Sequence, residues 1–156
     1  MNISGNWEGE YVVDESDAAP QVAGEVVRFT MTLKQGWLGM VSGTVQDDVR
    51  TGFPEAGTIK GRIKGETFGF KKLQPKLRLM HERSRLGLEQ VADRYKVVID
   101  TGRAHPAILH MGKVSADGKE MEGKWRMPST EVDVPGSSQG LTTVVLTGTW
   151  KARRKA

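Results

Sequence analysis

Apolar and polar residues alternate along most of this chain with a period of two, the repeat of a strand buried on one face only. In Met121-Glu122-Gly123-Lys124-Trp125-Arg126-Met127, one set of positions holds Met, Gly, Trp and Met and the other holds charges. The same alternation links Trp7, Gly9, Tyr11 and Val13; Val27, Phe29, Met31 and Leu33; and Val144, Leu146, Gly148, Trp150 and Ala152. It predicts strands over 5–13, 26–34, 37–46, 57–64, 66–73, 76–81, 95–100, 107–115, 119–127 and 142–152. Helical periodicity is nearly absent. Between Glu82 and Arg94, Leu86, Val91 and several helix formers predict at most one short helix near 82–94, interrupted by Gly87 at a cost of about 1 kcal/mol. Segments 14–25 and 128–140 read as loops from their Pro, Ser, Ala and Gly content.

Gln35-Gly36, Lys64-Gly65-Glu66 and Ala116-Asp117-Gly118-Lys119 are tight-turn signals, so successive strands are antiparallel neighbours. An open sheet of roughly eight to ten strands would leave two unpaired edges, and closure removes both. The expected fold is therefore an all-β, antiparallel up-and-down barrel of 8–10 strands in which the first and last strands meet. With 156 residues the chain needs only a single domain, 1–156.

Three of the four tryptophans sit in Gly-x-Trp tripeptides: Gly5-Asn6-Trp7, Gly123-Lys124-Trp125 and Gly148-Thr149-Trp150. A glycine two places ahead on a strand shares the tryptophan's face and leaves bare backbone over which the ring can fold. Trp7 and Trp150 then mark the closure seam, and Trp125 belongs to the wall.

The start Gly5-x-Trp7-x-Gly9-x-Tyr11, the tight meander and the Gly148-x-Trp150 end resemble the calycin group of barrels, which includes lipocalins, fatty-acid-binding proteins and avidins. In lipocalins the first-strand Gly-x-Trp closes the barrel floor, and a basic residue of the last strand packs across the tryptophan. The resemblance gives that role to Arg153 or Arg154, set for a cation–π contact with Trp7. The chain departs from lipocalins in lacking cysteines, the second lipocalin sequence block and the long C-terminal helix, and from avidins in its longer connections. Gly43-Thr44-Val45-Gln46-Asp47-Asp48, Gly57-x-Ile59-x-Gly61 and Phe68-x-Phe70-Lys71 are similar to uncharacterised bacterial lipocalin-like proteins.

Composition trims the list of functions. The absence of cysteine excludes disulfides, thiolate metal sites and thiol nucleophiles. No apolar run approaches the roughly 18 residues of a spanning helix, and Met1-Asn2-Ile3-Ser4-Gly5 lacks the basic and apolar regions of a signal peptide. A cytoplasmic location follows, and export would need a signal already removed. The net charge of +4 is concentrated in Lys60, Arg62, Lys64, Lys71, Lys72, Lys76, Arg78, Arg83 and Arg85, with Glu66 and Glu82 as the only acids in that span. These read either as the solvated outer face of strands or as an attraction for an anionic ligand, lipid headgroup or nucleic acid, of which nucleic acid is the least favoured.

No phosphate-binding Gly-rich loop, Gly-x-Ser-x-Gly or His-Glu-x-x-His is present, so no catalytic, cofactor or metal site is expected. His105 and His110 fall on opposite faces of an ideal strand, against joint metal ligation. His110 shares a face with Ile108, Gly112 and Val114, as a hydrogen-bonded core imidazole or one that orients a ligand. Asp47 and Asp48, with Glu55, read as mobile surface acids. By alternation Trp7, Leu33, Val41, Ile59, Ile63, Val97, Ile99, Leu146 and Trp150 point inward. So do the candidate cavity-lining residues Tyr11, Phe29, Met31, Phe68, Phe70, Tyr95, His110 and Trp125. Apolar walls with a few polar groups are the lining of a small-molecule site, and the seven methionines add adaptability.

Three classes of function stay open. The leading expectation is non-catalytic binding of a small hydrophobic or amphipathic ligand, with an anionic molecule accommodated, inside the barrel. The second is a protein-interaction module with a filled barrel, and barrels that pair through exposed strands allow a homodimer. The third is a barrel enzyme with Tyr95, His110 or an acid at the mouth.

Overall fold

A computed structural model describes residues 1–20, 22–82, 96–133, 138 and 140–156. Eight strands close into an antiparallel barrel: β1 (Gly5–Val13), β2 (Val26–Gln35), β3 (Met40–Asp47), β4 (Gly57–Lys64), β5 (Thr67–Leu73), β8 (Ile108–Val114), β9 (Glu120–Met127) and β12 (Leu146–Arg154). Each pairs with its predecessor and successor in the barrel, and β1 pairs with β12 from Trp7↔Arg154 to Val13↔Gly148. The seam therefore closes where the first and last Gly-x-Trp units lie.

Two further antiparallel pairs are inserted in connections. One is β6 (Arg78–Glu82) with β7 (Lys96–Asp100), between β5 and β8; the other is β10 (Glu131–Asp133) with β11 (Gly140–Thr142), between β9 and β12. The predicted strands 76–81 and 95–100 thus leave the barrel wall to form a side hairpin, and Val97 and Ile99 with them. The predicted loop 128–140 contains part of a second hairpin. Residues 83–94, where a helix was expected, and Tyr95 lie outside the described residues. Among those described, the helical content is one 3-10 turn, Trp37–Gly39, and no helix is long and apolar enough to cross a membrane.

The alternation that predicts the strands also sorts their side chains. Along β2 the burial pattern alternates strictly, with Val27, Phe29, Met31 and Leu33 inside. The short connections Gly36–Gly39, Gly65–Glu66 and Ser115–Lys119 gather at one end, and those after β1, β3, β5 and β9 at the other. The first end is closed. Ile3 and Trp7 are fully buried there, with Leu33, Val41, Phe68, Val114 and Met121 around them. Trp7 Nε1 donates to Ile3 O (3.0 Å), and Ile3 N donates to Gln35 Oε1 (3.0 Å), pinning the N-terminal segment across the floor. The Arg154 guanidinium lies 5.2 Å from the Trp7 ring centroid and donates to Asn2 O and Ser4 O. Arg154, not Arg153, is the basic residue over the floor tryptophan; Arg153 pairs on the outside with Glu8 (2.6 Å).

The glycines serve a different tryptophan from the one expected. A Cβ on Gly148 would meet Val12 O and, at 2.5 Å, the Trp125 indole nitrogen. One on Gly112 would meet Trp150 Cζ2 at 2.8 Å. Gly148 and Trp125 are cross-strand partners, and Trp150 reaches Gly112 two strands away, past its own partner Gly123 on β9, so each ring lies over a glycine of another strand instead of folding back over its own. Trp125 Nε1 thereby reaches Val12 O at 3.3 Å, across β12. Gly148→Ala is expected to destabilise by about 1–3 kcal/mol through overpacking. Its cost should fall when Trp125 is first replaced by Leu, read as an interaction energy from urea midpoints of the two single variants and the double; equal costs in both backgrounds would refute the assignment.

Candidate functional site

Continuing the inward register one step beyond the apolar residues brings charge into the barrel. On β3 the face of Val41 and Val45 ends in Asp47; on β5 that of Phe68 and Phe70 ends in Lys72. Both side chains are buried, Asp47 wholly and Lys72 to 4% exposure. Lys72 Nζ donates to both carboxylate oxygens of Asp47 at 2.7 Å. Asp47 Oδ2 also accepts from the Tyr11 hydroxyl (3.1 Å) and the Phe53 backbone N–H (3.3 Å). The ammonium lies 5.0 Å from the Tyr11 ring centroid and 5.2 Å from that of Phe53. Asp47 is therefore a buried structural anion and not a mobile surface acid, and Lys72 does not belong to the solvated outer face.

The loop after β3 is shaped to cover this pair. Gly52 N–H donates to Asp48 O (2.8 Å), and a Cβ on Gly52 would sit 2.5 Å from Asp47 Cβ. The turn packs against the carboxylate only because residue 52 has no side chain. Asp48 itself stays outside, paired with Arg50 (2.8 Å), which holds its carboxyl down at about 2 through that hydrogen bond.

Burial raises the Tyr11 hydroxyl well above the usual tyrosine range, and the charge of Asp47 and the hydrogen bond to it push the same way. Tyr11 is a neutral donor. Burial lowers the Lys72 pKa, while the charge of Asp47 and its hydrogen bonds oppose the shift. Removing two such ions from water is costly and is offset only by close geometry and further hydrogen bonds; here Lys72 Nζ donates to both Asp47 oxygens, Asp47 Oδ2 accepts twice more, and two rings face the ammonium.

Aromatic rings line the rest of the half opposite the floor. Tyr11 stands edge-on to Trp125 (5.7 Å between centroids) and stacks near Phe29 (6.3 Å). His110 stacks on Phe70 at 4.4 Å, and Trp150 stands edge-on to both. Its Nδ1 lies 3.3 Å from Ile108 O, so that nitrogen carries the proton of a neutral ring and Nε2 is left as an acceptor. Outside the strand, His105 meets Phe53 edge-on at 5.1 Å and is itself buried, with Nδ1 2.6 Å from Pro106 O. The expectation of opposite strand faces does not apply to it, because β8 begins only at Ile108.

Burial, then the Lys72 charge, pulls the His110 pKa from 6.5 down to about 3. Above pH 6.5 the imidazole is neutral folded or unfolded; below it the unfolded chain binds the proton first. Stability should then fall by about 1.4 kcal/mol per pH unit towards pH 3 from this group alone. His105, also lowered by burial, acts in the same direction. Urea midpoints at pH 7 and pH 5 should show His110→Phe losing about 2 kcal/mol less than the wild type over that interval. Parallel losses would exclude a neutral buried imidazole.

Three residues carry buried polar atoms with no partner among the described residues: Arg154, at Nε over the floor, Gln74 and Trp150. Gln74, 3% exposed, follows Lys72 on the inward register, and neither its amide nitrogen nor its amide oxygen is hydrogen-bonded. Trp150 Nε1 is likewise unmatched. Tyr11, Phe53, Met127 and Leu146 are half-buried against the core, in contrast to the sealed floor.

Of the predicted lining residues, Tyr11, Phe29, Phe70, His110 and Trp125 meet in this half. Phe68 extends the stack from Phe70 (4.9 Å) towards the floor, where Met31 pairs with Trp7. Sequence reading missed Asp47, Phe53, Lys72, Gln74 and His105. No group of three metal-binding side chains occurs among the described residues. A groove of about 1100 Å³ also crosses the outer wall over β1, lined largely by charged side chains of the outer face, among which Glu8 pairs with Arg153 and Glu10 with Lys151. The interior cluster is the better candidate. No protein-family model, curated protein or solved structure matches this chain.

Proposed function

We propose that this calycin-like barrel binds a small apolar or amphipathic molecule in the half opposite its floor without transforming it. The observation that carries the reading is the Gln74 amide, a donor and an acceptor left unmatched and buried one step beyond Lys72 on the inward register. A buried polar group without a partner costs about 1–3 kcal/mol, and a ligand that hydrogen-bonds to it recovers that cost on binding. Trp150 Nε1 offers a second donor. Tyr11, Phe29, Phe70, His110 and Trp125 supply the apolar surface, and the Lys72–Asp47 pair, internally neutralised, positions Tyr11. The ligand class that fits has a flat or chain-like apolar body and a polar group able to donate and accept.

A thermal-shift screen against fatty acids, their amides and alcohols, and flat aromatic metabolites tests this. A ligand present at 100 times its Kd stabilises by about 2.7 kcal/mol. Gln74→Leu separates binding from folding: it should raise the stability of the unliganded protein by about 1 kcal/mol, because an unsatisfied amide is removed, and weaken the ligand that shifts the wild type. No shift across the panel, or an undiminished shift in Gln74→Leu, would overturn the proposal.

A further inference from the structure

The β2–β3 connection at the closed end presents apolar side chains to solvent. Trp37 is 87% exposed, Leu38 68% and Met40 57%. Gly36 N–H donates to Met40 O (2.7 Å) to close the turn, and Leu38 has φ 55°. A branched side chain in the left-handed region is strained, and such strain concentrates where a segment has work to do. Here the turn holds Trp37 and Leu38 outward, away from a floor already filled by Ile3 and Trp7.

Beside this tip runs a face of unmatched positive charge. Lys34 precedes the turn, Arg62 donates from Nε to Leu38 O (3.2 Å), and Lys64, Lys60 and Lys71 continue across β4 and β5. Lys60 and Lys71 are cross-strand partners, an arrangement of like charges that destabilises a sheet. None of these five cations makes an ion pair among the described residues, whereas the cations of β12 are paired with Glu8 and Glu10. The nearby acids Glu66 and Asp117 stand on the other two turns of this end, Asp117 bound to Ser115.

We infer that the closed end is a peripheral docking surface for an anionic lipid bilayer, with Trp37 and Leu38 entering the headgroup layer and Lys34, Lys60, Arg62, Lys64 and Lys71 facing its charge. Tryptophan favours that layer, and each lysine or arginine near an anionic surface strengthens partitioning roughly fivefold. A nucleic acid fits less well: the exposed side chains of β4, namely Thr58, Lys60, Arg62 and Lys64, offer no aromatic platform for bases.

Vesicle flotation with the full chain tests this. Binding to phosphatidylglycerol-containing vesicles is expected, with little to pure phosphatidylcholine and loss at high salt. Trp37→Ser/Leu38→Ser should weaken it at least tenfold without changing the melting temperature, since both side chains are exposed. Lys60→Gln/Lys71→Gln, which leaves the turn intact, should weaken it by roughly twentyfold and lower the salt dependence in proportion to the two of five cations removed. Equal binding to neutral vesicles, no binding to either, Trp37-dependent self-association in place of vesicle binding, or preferential retention of single-stranded RNA would each overturn the inference.

Discussion

Asp47→Asn should lose about 3–5 kcal/mol of stability, because the Lys72 ammonium would stay buried with no counter-charge. In a domain whose total stability is about 5–15 kcal/mol, that removes a large share. Asparagine keeps a carbonyl oxygen for the Tyr11 hydroxyl and the Phe53 N–H, so the loss reports the charge more than the hydrogen bonds. Lys72→Met added to Asp47→Asn should then restore most of it, since Met fills the lysine stem's volume among aromatic rings and no ion remains. Urea titration of the three variants gives the answer. A single-variant loss below about 1 kcal/mol, the level of a solvated pair, would mean that water reaches the two charges.

Trp7→Ala should cost about 3–5 kcal/mol through the cavity it leaves. Trp7 is fully buried and its indole nitrogen holds Ile3 across the floor, so its removal also frees the N-terminal segment. Trp7→Phe preserves a ring beneath Arg154 and loses chiefly the hydrogen bond, at about 1 kcal/mol. A smaller loss for Ala than for Phe would contradict the floor as described. Amide exchange should locate the damage: protection at Ile3 and Gln35, joined through the Gln35 side chain, should fall before that of β4 and β5.

Period-two alternation made the barrel wall legible, and with it the closure of β1 on β12; the floor contact between Trp7 and a terminal arginine was implied by the resemblance to lipocalins. The same rule, carried one position further, places Asp47 after Val45 and Lys72 after Phe70 on the inward face. Charge obscured that reading, because an isolated Asp or Lys at a strand end is ordinarily solvated. Only the fold shows that the two strand ends meet, with β4 alone between them. Gln74, just past the end of β5, still follows the inward register of Phe70 and Lys72, whereas His105 and Phe53 lie in connections, where alternation has no force and the chain path alone brings them in. The Gly-x-Trp pattern was legible as geometry but not as partnership, since which strand's ring lies over Gly148 depends on register.

The central claim, a ligand seated on Gln74 and Trp150 in the half opposite the floor, is tested most directly by two-dimensional ¹⁵N NMR during titration with the strongest stabiliser from the thermal screen. The account predicts saturable shifts of the Gln74 side-chain amide and the Trp150 indole N–H, while the exposed Trp37 indole stays in place. Shifts confined to residues of the outer groove over β1, or none at all, would contradict it.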